Sequence, residues 1–255
     1  MSATLEANGV ARVLTVRRSE ARNALDTETI DALVSHARTV KQDATARAIV
    51  LAASPPTFVA GGDLREFGAL KGRAGGRAVA RKGRALIAAL RATKLPIVAA
   101  VDGDAYGGGC ELAAACDLRF AHERASFHWV QNKLAVTTGW GATARLVAIV
   151  GASTATRWLL GAETVSAREA HQARFVDEVC AEKSALEAAL AWTERLAAID
   201  PAVTAAQLSL VRASLDHAVA RSSAAELSAF AACWALPSHE AAVARFIERR
   251  ERRER

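Results

Sequence analysis

The chain has 255 residues, which at roughly 150 per domain means one large domain or two small ones. Apolar residues make up 51%, charged residues 24%, and only 5 residues are proline, which excludes a disordered or collagen-like chain and supplies a substantial core. The net charge of +6 comes from 33 Lys and Arg against 27 Asp and Glu, and a basic balance favours an anionic partner: nucleic acid, an acidic surface or a phosphate-bearing small molecule.

No apolar run approaches the roughly 18 residues that a membrane span needs. The opening Met1-Ser-Ala-Thr-Leu-Glu6 lacks the basic-then-apolar order of a secretory signal. The four cysteines, Cys110, Cys116, Cys180 and Cys233, have no C-x-x-C spacing, and the histidines form no metal-ligand pair. A reduced, cytoplasmic, metal-free protein is therefore expected.

Residues 3–16 read as a hairpin turning at Asn8-Gly9. Asp26 is placed to cap a helix whose Ile30, Leu33, Val34 and Ala37 recur at helical spacing to about residue 42. Residues 47–53 form an apolar strand ended by Pro55-Pro56, and 57–63 form a loop with two adjacent glycines. An alanine-rich helix is expected over 76–93 and a buried strand over 96–101. A second glycine loop follows, then a helix from about Cys110 and a strand over 117–121. From about residue 143 the pattern is almost wholly helical, broken at Gly151, Gly161, Pro201 and Pro237. Strands alternating with helices imply crossover units and largely parallel pairing, an α/β class. The chain divides as 1–195, the core, and 196–255, a docked helical lobe.

Both glycine loops follow a buried strand. Ala60-Gly61-Gly62-Asp63-Leu64 is the first and Gly107-Gly108-Gly109-Cys110-Glu111 the second. Glycine lets another group approach the backbone N–H. Two such groups aimed at one point make an oxyanion hole, and the helix after Gly109 adds its dipole. The plainer alternative is that these glycines only permit tight strand–helix packing. The dinucleotide fingerprint and the phosphate-loop Gly-Lys-Ser/Thr are both absent.

Taken in order, these stretches resemble the crotonase (enoyl-CoA hydratase/isomerase) family. Ala21-Arg-Asn-Ala-Leu-Asp26 is similar to its opening and Phe58-Val-Ala-Gly-Gly-Asp-Leu64 to its first oxyanion loop. The run from Ala100 to Ala121 is similar to its longest signature, and Ala242 to Arg250 to its final helix. The resemblance implies a spiral of strand–strand–helix units with a helical trimerisation region at 196–255. It also implies a homotrimer or dimer of trimers, and an acyl-CoA thioester substrate with no further cofactor. Carried over by position, Gly62 and Gly108 would donate the oxyanion hydrogen bonds. Ala21, Arg22 and Ala24, with Ala60 to Leu64 (Asp63 included), would line the CoA path.

The family's hydratases use two glutamates. Glu111 matches the first, but Gln131 stands where the second would be, and an amide cannot exchange a proton near neutral pH. The stretch Val136-Thr-Thr-Gly139-Trp140-Gly141 resembles the corresponding segment of ethylmalonyl-CoA decarboxylase. That resemblance implies decarboxylation of a short malonyl-type CoA, methylmalonyl- or ethylmalonyl-CoA. Trp140 would form an apolar wall, Gln131 and His128 would steer the carboxylate or a water, and Gly139 would lie beside the substrate. Each side chain has a plainer reading: Trp140 as core, His128 pointing outward, Glu111 as a helix-dipole partner. Two other functions stay open. One is a hydratase or isomerase with Glu111 as sole acid–base residue. The other is a weakly catalytic relative that binds RNA or a protein through its arginine-rich tail. That tail holds six Arg and three Glu over 245–255. It alternates in sign and lacks interleaved aromatics, which argues against nucleic acid and for a solvated helix end.

Overall fold

A computed structural model describes residues 1–254, backbone only for 216–218, 253 and 254. Arg255, the last residue of the basic tail, lies outside the described residues.

The elements follow in chain order. Strands β1 (Ala3–Asn8) and β2 (Ala11–Val16) precede helix α1 (Thr27–Lys41), then β3 (Ala48–Ala53), β4 (Thr57–Val59), α2 (Leu64–Phe67) and α3 (Gly72–Arg91). Next come β5 (Ile97–Val101), β6 (Asp104–Tyr106), α4 (Gly108–Ala115), β7 (Leu118–His122), β8 (Ser126–His128) and a 3-10 turn, Val130–Leu134. The last third holds α5 (Ala142–Gly161), β9 (Thr164–Ser166), α6 (Ala167–Gln172), β10 (Glu178–Cys180), α7 (Ala185–Glu194), α8 (Pro201–Trp234) and α9 (Pro237–Glu254).

Among the described residues the strands form two sheets, one of six in the order β1-β2-β3-β5-β7-β10 and one of four in the order β4-β6-β8-β9. Pairing is parallel except at β1–β2 and β8–β9. The pairs β3–β4, β5–β6 and β7–β8 each add one strand to each sheet before the chain turns into a helix. This is the expected spiral of strand–strand–helix units. The larger sheet is covered on both faces, so β5 reads as an uninterrupted apolar run, Ile97-Val-Ala-Ala-Val101, with every residue buried. Leu14, Leu51 and Ala99 belong to the main core, while Val13, Val50 and Val98 pack under α7 with Ala185 and Ala188.

Local signals hold where neighbouring residues decide the structure. Asn8 pairs with Ala11 across the hairpin, and the Asp26 carboxylate accepts from Thr29 N at 2.8 Å as the α1 cap. Pro201 begins α8, Pro237 begins α9, and Gly151 breaks α5 with φ 79°.

Three expectations need correction. Residues 57–59 and 104–106 are strands rather than loop, and the region after 143 contains β9 and β10. Strands of three residues are too short to show a period. They exist because β4 pairs with β6 and β6 with β8, β9 closes that sheet's edge, and β10 pairs with β7 at the edge of the larger sheet. The third concerns α3, which starts at Gly72, four residues before the expected start, through a glycine-rich stretch that discourages helix. Tertiary contact accounts for it: a Cβ at Gly76 would stand 2.6 Å from Trp234 Cβ, so α8 lies directly against this turn of helix.

Candidate active site

The first glycine turn is held by backbone pairing with Leu25, whose N donates to Gly61 O at 2.8 Å and whose O accepts from Asp63 N at 2.9 Å. That leaves Gly62 N facing elsewhere. Asp63 caps α2, accepting from Arg65 N, and its carboxylate pairs with Arg18 at 3.1 Å. The second turn is entered through Gly107, with φ 48° and its N donating to His128 O at 2.9 Å. The two turns touch: a Cβ at Gly61 would lie 3.0 Å from Gly108 N. Among the described residues, neither Gly62 N nor Gly108 N donates a hydrogen bond to the chain. Both glycines line a cleft of about 590 Å³ including its open mouth.

One wall of the cleft is the Trp140 indole. It lies between Gly83 of α3 and the glycine turns: a Cβ at Gly83 would meet its ring at 2.2 Å, one at Gly108 would stand 2.8 Å from Cη2, and one at Gly62 3.8 Å from Cζ2. A side chain at Gly83 would displace the ring, so α3 supplies the slot that lays the indole beside both turns.

Glu111, in the first turn of α4, is 3% exposed. Its Oε2 accepts from Trp140 N at 2.7 Å and Gly139 N at 3.1 Å, and its Oε1 from Gln131 Nε2 at 3.3 Å. Burial pushes its carboxyl up from the ordinary 4.5 to about 8, and the neighbouring Glu226 adds to the rise; the N–H donors pull the other way without reversing it. The backbone that grips Glu111 is itself gripped from behind. Arg84 of α3 donates to Gly139 O at 2.7 Å, and Glu226 of α8 accepts from Gly141 N at 2.6 Å and Thr143 N at 3.2 Å. Gln131 is buried in the cleft wall, and its Oε1 has no hydrogen-bond partner among the described residues.

The sequence-derived residues therefore divide. Ala60, Gly62, Leu64, Gly108, Glu111, Gln131 and Trp140 line the cleft. Gly139 lies behind it, packed against Phe230, and contributes its N–H to Glu111. Ala21, Arg22, Ala24 and Asp63 are not in the cleft wall; they belong to the neighbouring turns, joined to the first glycine loop through Leu25. His128 is a correction. It sits on β8 next to Phe127, which is fully buried, and adjacent strand residues point to opposite faces. Its ring stacks on Tyr106 at 4.2 Å and its Nδ1 lies 3.0 Å from Thr164 Oγ1, away from the cleft.

Sequence reading missed Phe67, Leu134, Val136, Phe230, Trp234 and His239, all in the cleft wall. Apolar residues at helical spacing read as core, and nothing in α8 or α9 distinguishes the few that face the cleft. Arg84 and Glu226 were missed because a lone charge on a helix reads as a solvated face, and their bonds to Gly139, Gly141 and Thr143 span more than fifty residues of chain. Among the described residues no group of His, Cys, Asp or Glu is arranged to hold a metal, and no helix is long and apolar enough to cross a membrane.

The fold and the paired glycine turns define a crotonase-type protein, and the comparisons agree. Solved structures of the same architecture include an enoyl-CoA hydratase/isomerase from Mycobacterium paratuberculosis (TM-score 0.88, 22% identical, 96% of this chain and 98% of that one), which bears on fold alone. Another is from Pseudoalteromonas atlantica T6c (TM-score 0.86, 27% identical, 98% of each chain). Similar curated sequences include 2,3-dehydroadipyl-CoA hydratase of Escherichia coli, 33% identical over 93% of this chain and 92% of that protein. Mitochondrial enoyl-CoA hydratase of Pongo abelii is 30% identical over 96% and 83%. The family model for enoyl-CoA hydratase/isomerase matches residues 6–253, and the chain belongs to that family of enzymes.

Proposed function

We propose that this enzyme binds a short enoyl-CoA thioester and shifts its double bond, with Glu111 as the sole acid–base group and hydration as a slower side reaction. The observation that carries the reading is that Glu111 holds the only carboxyl among the described residues lining the cleft, with an amide, Gln131, beside it at 3.3 Å.

The thioester oxygen would lie between the N–H groups of Gly62 and Gly108, where the end of α4 adds favourable potential. The Glu111 carboxylate takes a proton from C2 of a 3-enoyl thioester. The electron pair delocalises onto the thioester oxygen as a dienolate. Glu111 then returns the proton at C4, leaving the double bond between C2 and C3. One group carries one proton both ways, and a pKa of about 8 leaves both of its forms populated near neutral pH. Hydration makes a larger demand, because water must lose a proton while C2 gains one, and Gln131 can do neither. The relatives named as hydratases favour enoyl-CoA chemistry over decarboxylation.

Decarboxylation of methylmalonyl- or ethylmalonyl-CoA is the second reading. It passes through the same kind of enolate, needs no base, and would take its final proton from neutral Glu111. The aromatic walls and the neutral Gln131, which does not repel a substrate carboxylate, favour it. Under either reading CoA arrives with the substrate and no further cofactor is needed. Exposed Val203, Leu210 and Val211 on α8 support assembly as a homotrimer or dimer of trimers. Four unpaired cysteines support a reducing, cytoplasmic setting.

The test offers 3-hexenoyl-CoA, crotonyl-CoA, methylmalonyl-CoA and ethylmalonyl-CoA to the purified protein across pH. Double-bond migration should outpace water addition and rise with pH through about 8 as Glu111 ionises. Carbon dioxide release without isomerisation would transfer the assignment to the second reading, and rapid hydration of crotonyl-CoA without isomerisation would overturn both.

A further inference from the structure

Side chains from the last two helices form part of the cleft wall. They are Phe230 and Trp234 of α8 and His239 of α9. Trp234 and His239 also line a second, smaller space of about 180 Å³ including its open mouth, bounded further by Gly68, Leu70, Lys71, Glu240 and Val243. The two residues thus form a shared wall between the cleft and a void beneath α9.

That wall is fixed in place. Trp234 Nε1 donates to Leu70 O at 2.7 Å, and its indole rests against the His239 ring with centroids 4.2 Å apart. His239 Nδ1 lies 2.7 Å from Leu134 O, which ties the imidazole to the turn carrying Gln131. Both side chains are buried, Trp234 at 4% exposure and His239 at 3%. Gly76 allows Trp234 its close seat on α3. An aromatic pair anchored to carbonyls of two separate segments, Leu70 and Leu134, is a stop that an alkyl chain does not push aside.

We propose that Trp234, backed by His239, sets the length of the acyl chain this enzyme accepts by closing the cleft against the second cavity. The proposal rests on the acyl-CoA reading of the cleft and names the specificity of that same site. A chain that ends at the indole gains apolar burial with each methylene. A longer one must bend back toward the mouth and gains nothing further. Removing the indole joins the two spaces, and each methylene that enters the new one should raise affinity about fourfold, the equivalent of roughly 0.8 kcal/mol per buried CH₂.

The experiment measures calorimetric binding of butyryl-, hexanoyl-, octanoyl- and decanoyl-CoA to the full-length protein and three variants. In the wild type, affinity should climb with chain length and then stop. In Trp234→Ala it should keep climbing, by tenfold or more over the next two methylenes. Val243→Phe fills the second cavity from its far side. Alone it should leave the wild-type pattern unchanged, and in combination with Trp234→Ala it should abolish the gain. Trp234→Leu, which keeps more of the apolar volume, carries the same comparison with a smaller step if the alanine variant does not fold. Identical chain-length profiles in wild type and Trp234 variants, or a gain that survives Val243→Phe, would overturn the proposal while leaving the acyl-CoA reading intact. No binding of any ester by the wild type would instead overturn that reading.

Discussion

Replacing Glu111 with glutamine should remove a large pH dependence of stability. In the folded chain the Glu111 carboxyl is held at about 8, whereas in the unfolded chain it returns to about 4.5. Between those values the folded state keeps a proton that the unfolded state has released. Stability is therefore full below about pH 4.5 and falls as pH rises, until the folded carboxyl has ionised above about 8. At about 1.4 kcal/mol per pH unit between the two pKa values, the loss has a ceiling of about 5 kcal/mol. Glutamine has nearly the same shape and cannot ionise. Its oxygen can accept from Trp140 N and Gly139 N as Oε2 does now. Its NH₂ then faces Gln131, whose amide can turn to present the Oε1 that lacks a partner. The variant should fold without a new unsatisfied group. Urea unfolding at intervals from pH 5 to pH 9 reads the effect directly. At pH 5 the two proteins should agree within about 1 kcal/mol, and by pH 9 the variant should be the more stable by several kcal/mol. Parallel profiles across the range, or a variant that is less stable at pH 9, would refute the claim that this carboxyl is kept neutral by burial.

Three further outcomes follow from the same contacts. Gly83→Ala places a methyl inside the Trp140 ring, so it should destabilise the chain by about 1–3 kcal/mol and depress turnover; denaturation and activity measured on one preparation test both. Glu226→Gln removes a negative neighbour of Glu111, so the pH at which isomerisation rises should move downward, as a pH–rate profile would record. Gln131→Glu restores a second carboxyl in the cleft and should raise hydration of crotonyl-CoA by roughly a hundredfold or more; an unchanged rate would count against the missing proton carrier as the limit.

The division between what was legible in the chain and what was not follows the range of the forces involved. The Asn8-Gly9 turn, the Asp26 cap, the buried strands and the proline starts of α8 and α9 are set by residues a few positions apart, and all were readable. So was the pairing of two glycine turns with Glu111, because their order matched a known pattern. The strand face that turns His128 away from the cleft depends on Phe127 entering the core, and a three-residue strand gives no period from which to infer it. The slot that Gly83 opens for Trp140, and the aromatic stop built from Trp234 and His239, join residues far apart in the chain. The elevated Glu111 pKa belongs to the same class, since desolvation exists only once α3, α5 and α8 have closed around the carboxyl. Amino-acid order determined which groups were available for chemistry, while packing decided which of them share one water-poor space and in what state of protonation.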